Sequence, residues 1–236
     1  MPLVLDLSLN ANPKIEITRM GREQHPVLVI DNALENPDTL RQWASSLPFV
    51  ANPATAYPGL NAPAPEAYVH LIAHAVRDLV KNVFGLPDDK DLTYLAFFGL
   101  STQSAQTLKD TQRIPHVDSA NPFRIALVHY LCDEAYGGTG FFRQRSTGLE
   151  SLRPHQIEAF NVIARRELDA CAHLAPGYVD ADTPNFEMIG HVPLRYNRLI
   201  AYRSNVFHAP LLRGPELISD SLRGRLTVNS FVEVKN

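Results

Sequence analysis

The chain contains little cysteine, with Cys132 and Cys171 as the two examples among 236 residues. Their spacing matches neither a metal-binding motif nor a redox motif, so we expect two free buried thiols in a reducing compartment. A chain of this length buries roughly 70% or more of the surface that its unfolded form exposes, and it needs no disulfide for stability. The scarcity of cysteine argues against a disulfide-rich secreted scaffold.

Long apolar runs and a dominant charge sign are also lacking. No apolar run approaches the ~18 residues of a membrane helix, and the start of the chain lacks a basic region and is interrupted by Asp6. The 22 basic and 25 acidic residues leave a net charge of −3 and a pI of about 6.3, which gives no reason to expect nucleic acid or an anionic membrane as a partner. We expect a soluble, cytoplasmic protein, and the sequence leaves its oligomeric state open.

The length is typical of a single domain spanning residues 1–236. Within it, the predicted secondary structure changes near residue 90. Residues 1–90 combine two short strands, Lys14–Thr18 and Val27–Ile30, with two helices. One helix follows Asn36, and the other spans Glu66–Phe84 and ends at Gly85. Residues 91–236 have the pattern of a β core.

Seven runs in the second part are typical of strands, and one helix interrupts them as an insertion over residues 154–174. The strands are predicted at Tyr94–Leu100, Arg124–Cys132, Gly138–Arg143, Phe186–His191, Arg198–Arg203, Val206–Ala209 and Arg223–Val234. This order predicts a mainly β fold with α additions: a double-stranded β-helix, which is a jelly-roll or cupin-like core, flanked by two to four helices.

Residues 48–65 contain five prolines, and we expect no regular element there. A long irregular segment in a compact domain is either a linker or a functional flap. Phe49, Tyr57 and Leu60 are too apolar for a free linker, so the segment is predicted to be a flap that packs on the domain.

The pair His116-x-Asp118 is the first candidate for chemistry. Residues i and i+2 of an extended strand point to the same face, so both side chains can reach one metal ion. His208, in a later strand-like run, is the best candidate for a third ligand. Two imidazoles and one carboxylate occupy one face of an octahedral iron and leave three positions for substrates and dioxygen.

Arg225 and Thr227 share one face of the last predicted strand, whose other face is apolar. A buried guanidinium without a partner is costly, and a bound carboxylate would supply the partner through a bidentate grip. An ordinary salt bridge with a surface acid is the alternative.

These residues resemble the motif of the 2-oxoglutarate/Fe(II)-dependent dioxygenases, in their prolyl-hydroxylase-like branch. The run from Val128 to Phe142, with Tyr130-Leu131 followed by Gly137-Gly138-Thr139, resembles the middle of that motif, and in particular an uncharacterised bacterial group in this branch. The resemblance covers roughly residues 92 to 234 without the helical insertion. The first ninety residues are not explained by it.

The resemblance implies Fe(II) bound by His116, Asp118 and His208. It also implies 2-oxoglutarate held by Arg225, with help from Thr227 and Tyr130. The substrates of such an enzyme would be dioxygen together with a small molecule, an amino acid or a peptide. Hydroxylation of a carbon would be the default outcome.

Three questions stay open on the sequence alone. The loop Leu211–Ser221 lengthens the spacing from His208 to Arg225, which leaves Arg223 as a rival for the carboxylate-binding role. A cupin-like metal enzyme that does not use 2-oxoglutarate is one alternative function. A non-catalytic jelly-roll binding protein is the other.

Overall fold

The computed structural model describes residues 5–52, 57–171, 173, 177–181 and 183–235. The described residues form ten strands and three α-helices, together with short 3-10 turns. The strands are β1 (Lys14–Met20), β2 (His25–Asp31), β3 (Gly59–Pro63), β4 (Leu92–Ser101), β5 (Arg124–Tyr130), β6 (Thr139–Gln144), β7 (Phe186–Val192), β8 (Leu199–Arg203), β9 (His208–Pro210) and β10 (Arg225–Val234). The helices are α1 (Pro37–Ser45), α2 (Glu66–Phe84) and α3 (Ile157–Ala170).

The strands form two antiparallel sheets. The major sheet has the order β1-β2-β8-β5-β10-β4-β3, and the minor sheet has the order β7-β6-β9. Side chains from both sheets share one buried cluster, in which Phe141 of β6 meets Tyr202 of β8 edge to face at 5.1 Å between ring centroids. Two sheets that face each other in this way form a jelly-roll core, so the predicted fold class is confirmed. The three α-helices fall within the predicted two to four.

Strand β10 lies at the centre of the major sheet, between β5 and β4. Because side chains alternate along a strand, Leu226, Val228 and Val232 point to one face, where they pack with α1 and α2 in the largest buried cluster. Arg225 and Asn229 point to the opposite face and line a cavity. The polar stripe predicted from the sequence is therefore the inner face of the sheet.

Helix α3 packs Phe160 against Phe207 at 5.1 Å between ring centroids, which places the helix beside the minor sheet. The helix was predicted to start at Pro154, but residues Pro154–Gln156 form a 3-10 turn and the α-helix begins at Ile157. The predicted end at Leu174 lies outside the described residues. The insertion thus covers one face of the minor sheet.

The prediction that residues 48–65 contain no regular element is wrong for Gly59–Pro63, which forms β3 and pairs with β4. Strand β3 is at the edge of the major sheet. Prolines are tolerated on an edge strand, because the missing N–H costs no ladder hydrogen bond on the open side. Among the described residues of the segment, Phe49 packs against the largest buried cluster.

The two cysteines are free, with Cys132 buried and Cys171 only half-buried. Within the described ranges, the helices are too short or too polar to cross a lipid bilayer.

A buried carboxylate ties the turn between β1 and β2 to the segment that follows β6. The Glu150 side chain is 1% exposed and accepts hydrogen bonds from the backbone N–H groups of Arg22 and Glu23 at 2.9 and 3.0 Å. The Arg143 guanidinium also donates to it, with Nε at 2.8 Å. Burial opposes ionisation of Glu150, but these donors outweigh it and lower its pKa.

We expect Glu150→Gln to destabilise the fold by about 3 kcal/mol at neutral pH, because it leaves the Arg143 charge without its buried partner. A lowered pKa gives stability that is present above the unfolded-state pKa and is lost as the pH falls through the folded-state pKa. Thermal unfolding of the variant and the unaltered protein should therefore converge in acid. Glu187→Gln is the control, since Glu187 contacts the same arginine but is 49% exposed and should cost less than about 1 kcal/mol. Equal effects of both variants would contradict this account.

Candidate metal centre and its cavity

Backbone hydrogen bonds bring the His116–Asp118 segment next to β9. The N–H of His116 donates to the carbonyl of His208 at 3.0 Å, and the N–H of His208 donates back at 2.9 Å. The N–H of Asp118 donates to the carbonyl of Ser204 at 2.9 Å. Residues that are far apart in the chain thus become direct cross-strand neighbours.

The three predicted ligands converge at this point. Oxygen Oδ1 of Asp118 lies 3.7 Å from Nε2 of His116, and Oδ2 lies 3.4 Å from Nε2 of His208. One ligand atom from each residue falls within 4.8 Å of the others, which is a spacing that a single metal ion can bridge. The arrangement is two imidazoles and one carboxylate on the inner side of the jelly roll.

The surroundings of both imidazoles suit a metal site. Nδ1 of His208 lies 3.0 Å from the carbonyl of Val206, and because a carbonyl only accepts, the proton is on Nδ1 and the lone pair of Nε2 faces Asp118. Burial, together with the neighbouring His208, lowers the pKa of His116 to about 4, against an opposing effect of Asp118. His116 is therefore neutral near pH 7.

Glu23, His25 and Glu150 form a second group with metal-ligand spacing. Glu150 already accepts four hydrogen bonds, two from backbone N–H groups and two from the Arg143 guanidinium. This carboxylate is the hub of a structural network, and we assign the group no metal.

The candidate ligands open into a cavity of about 910 Å³ between the sheets. This volume is near the upper end of the range for small-molecule sites. Its wall includes the triad, and its floor is the inner face of β5, β10 and β4, with Val128, Asn229 and Phe97 among the lining residues.

Arg225 lies in this cavity and is 3% exposed. Its one hydrogen bond within the described chain is a long one, 3.4 Å from a guanidinium Nη1 to the Ser101 hydroxyl, and its Nε has no partner there. No carboxylate in the same set of residues forms an ion pair with it. A buried guanidinium in this condition is a site for an anion, because burial without a partner is costly.

The structure distinguishes Arg225 from its rival. Arg223 is exposed and precedes the strand, whereas Arg225 is the first residue of β10 and points into the cavity. The predicted loop Leu211–Ser221 contains no strand, but the last strand begins at Arg225 and not at the predicted Arg223.

The two other predicted carboxylate-binding residues lie in the same region, engaged with the protein. The hydroxyl of Tyr130 is 2.6 Å from that of Thr139, and Thr227 donates to the Gly99 carbonyl at 3.4 Å. Burial raises the pKa of Tyr130 to about 12, even though Thr139 and Arg225 oppose this effect. The phenol is thus protonated and able to donate.

Sequence reasoning missed Ser101 and the role of Tyr57. The Tyr57 hydroxyl, which comes from the proline-rich segment, lies 3.1 Å from the Ser101 hydroxyl beside Arg225. A Cβ on Gly99 would lie 2.7 Å from the Tyr57 hydroxyl and 2.5 Å from Nδ2 of Asn229, so glycine at this position makes room for both side chains. Ser101 is found only once the register pairs it with Arg225.

Fold and site together define a jelly-roll protein with a two-histidine, one-carboxylate centre and a buried basic group in the same cavity. Residues 11–232 match a protein family described as a family of unknown function, DUF6445, and the chain belongs to that family. No curated protein matches the chain significantly.

Solved structures with a similar fold include HygX from Streptomyces hygroscopicus. Its crystal structure with nickel and 2-oxoglutarate bound has a TM-score of 0.52 and 14% identity, covering 90% of this chain and 87% of that chain. The HygX structure with nickel, 2-oxoglutarate and hygromycin B bound has a TM-score of 0.50, 13% identity and the same coverage. An N-substituted L-amino acid dioxygenase from Burkholderia ambifaria AMMD has a TM-score of 0.41 and 9% identity, covering 95% of this chain and 98% of that chain. At these identities the likeness to HygX concerns the fold.

We expect Asp118→Ala to weaken binding of divalent metal by more than about 100-fold, because losing one of three ligands costs more than losing a supporting hydrogen bond. Calorimetric titration with Ni(II), which is stable in air, measures the affinity. His191→Ala is the control, since His191 is an exposed residue of β7 and should leave the affinity unchanged. Unaltered Ni(II) binding by the Asp118 variant would place the metal elsewhere.

Proposed function

We propose that this protein is an Fe(II)- and 2-oxoglutarate-dependent dioxygenase that hydroxylates a carbon of a small molecule, an amino acid or a peptide. His116, Asp118 and His208 hold the iron, and Arg225 holds the distal carboxylate of 2-oxoglutarate. The prolyl-hydroxylase-like branch is the part of the superfamily that the motif resembles.

The observation that carries the proposal is the buried Arg225 guanidinium, whose Nε has no partner within the described chain. It lies in the same cavity as the triad. A metal site alone is compatible with many reactions, but a dicarboxylate co-substrate requires a cation at a distance from the metal. The pairing of these two features in one cavity favours 2-oxoglutarate.

The donor set fits the two groups. Two imidazoles with one carboxylate suit Fe(II) and leave sites for a chelating keto acid and dioxygen. A guanidinium suits a carboxylate, which it grips with two parallel hydrogen bonds. When bound together, iron and 2-oxoglutarate supply oxidation of a C–H bond by dioxygen, with release of succinate and carbon dioxide.

The chain's own residues would orient the co-substrate and keep water away from it. Ser101 and Tyr57 stand beside Arg225 as hydroxyl donors, and burial raises the pKa of Tyr57 against the opposing effect of Arg225. Thr227 lies two residues after Arg225 on β10, on the same face of the strand. Tyr202 packs its ring 4.7 Å from that of His208 and limits the movement of this ligand.

Two alternatives from the sequence are less well supported. A cupin-like metal enzyme without 2-oxoglutarate has no need of a buried arginine that lacks an acidic partner. A non-catalytic jelly-roll protein has no need of an assembled triad with a fixed histidine tautomer. The bound 2-oxoglutarate of HygX, a protein of similar fold, is consistent with the oxygenase.

We expect Arg225→Ala to weaken 2-oxoglutarate binding by about 100-fold or more, because removing one member of a buried charged pair costs 2–5 kcal/mol. Calorimetric titration of the Ni(II)-loaded protein with 2-oxoglutarate measures this loss. Metal affinity should be retained, since Arg225 contacts none of the three ligands.

Arg223→Ala is the matched control, two residues earlier and on the surface, and it should bind 2-oxoglutarate as tightly as the unaltered protein. Equal losses in both variants would point to a general electrostatic effect. Unaltered binding by the Arg225 variant would remove the main support for the proposal.

A further inference from the structure

The cavity is much longer than the co-substrate assigned to it. Tyr130 pairs with Thr227, close to Arg225, and Arg124 lies at the other end of the same strand, β5. Six residues of extended chain span about 20 Å, whereas a five-carbon diacid extends about 6 Å at ordinary bond lengths. The part of the cavity towards Arg124 is thus left for another molecule.

Backbone hydrogen bonds connect the triad with the Arg124 end of this strand. The backbone N–H of Ser204 donates to the carbonyl of Arg124 at 2.9 Å, and the carbonyl of Ser204 accepts from the N–H of Asp118 at 2.9 Å. Arg124 and Asp118 therefore share Ser204 as a backbone hydrogen-bond partner, so a molecule bound at Arg124 lies near the metal ligands.

Among the described residues that line the cavity, arginines outnumber acids. The arginines in this described lining are Arg124 and Arg225, and its single acid is Asp118, which serves the metal. With Arg225 assigned to the co-substrate, Arg124 is the cation left for a second ligand.

The Arg124 guanidinium is positioned by a ring and one partly exposed acid, and part of it has no partner within the described chain. Its Cζ lies 4.3 Å from the centroid of the Phe231 ring, and its buried Nε has no hydrogen-bond partner within the described chain. Its nearest acid is Glu233, at 3.5 Å and 41% exposed. An exposed pair at that distance contributes little, so the donors of Arg124 stay available.

The floor beside Arg124 is apolar and uncovered. Leu95, which pairs with Phe231 across the sheet, is 58% exposed although it lines the cavity. Phe97 and Phe231 pack against each other beside it, with ring centroids 6.3 Å apart. The exposure of Leu95 shows that this part of the cavity floor is open to solvent.

We propose that the prime substrate is an organic acid with an apolar body, whose carboxylate binds Arg124 and whose alkyl or aryl part lies on Leu95, Phe97 and Phe231. This assignment rests on the proposed function, because it takes Arg225 as the co-substrate's partner. A carboxylate fits the planar fork of Arg124 in two parallel hydrogen bonds, and the aliphatic and aromatic surfaces gain from covering each other.

The test uses 3-phenylpropanoate and octanoate as probes, each beside its uncharged amide, in calorimetric titrations of the protein loaded with Ni(II) and 2-oxoglutarate. We expect the acids to bind at least about 10-fold more tightly than the amides. Arg124→Gln should weaken binding of the acids by roughly 10- to 100-fold, which is the value of a charge-assisted hydrogen bond. The same variant should leave the affinity for 2-oxoglutarate unchanged.

Glu233→Gln provides a readout with the opposite sign. It removes the competing carboxylate, so it should leave acid binding equal or tighter, whereas a merely structural role of the Arg124–Glu233 pair predicts the same loss in both variants. Equal binding of acids and amides, or acid binding that does not depend on Arg124, would overturn the assignment. Tighter binding of octyl phosphate than of octanoate would also overturn it, in favour of a phosphate head group. A protein that takes up the acids through Arg124 but does not bind 2-oxoglutarate would contradict the proposed function rather than the acid subsite.

Discussion

The reciprocal backbone hydrogen bonds between His116 and His208 are the contact on which the candidate site depends. They join a segment outside the regular strands to β9 and set the two imidazoles 4.6 Å apart between ring centroids. Asp118 then reaches both rings because it lies two residues after His116, with its own N–H bonded to Ser204. One cross-strand pair thus fixes the position of all three side chains.

Strand β10 supplies the second constraint, because one of its faces packs under the helices and the other faces the cavity. Leu226 and Val228 are buried under the helices, so the alternation of the strand forces Arg225 inward, into a cavity where the described residues offer it no carboxylate. The burial of a charge that lacks a partner would be a serious cost to the fold on its own. A site that binds an anion offsets this cost, which connects the stability of the sheet with the proposed chemistry.

The two-residue period of a strand was sufficient to predict that His116 and Asp118 face one point and that Arg225 lies on the polar face of β10, whereas His208 was chosen as the best candidate in a distant strand. Ser101 and Tyr57 could not be predicted in the same way. Ser101 meets Arg225 through the register of β10 with β4, and Tyr57 comes from a segment whose prolines concealed the edge strand that follows it. These contacts depend on how distant segments pair, and no local period encodes that pairing. The roles of Thr227 and Tyr130 in co-substrate binding stay predictions.

In the proposed site, the triad binds iron and Arg225 binds the distal carboxylate of the 2-oxoglutarate that chelates this iron. Anaerobic titration of the Fe(II)-loaded protein with 2-oxoglutarate tests this assignment most directly, because a keto acid chelated to Fe(II) gives a visible metal-to-ligand charge-transfer band. The account predicts a band that needs both components and saturates at one equivalent of 2-oxoglutarate. Protein with bound Fe(II) that gives no band at saturating 2-oxoglutarate would contradict it.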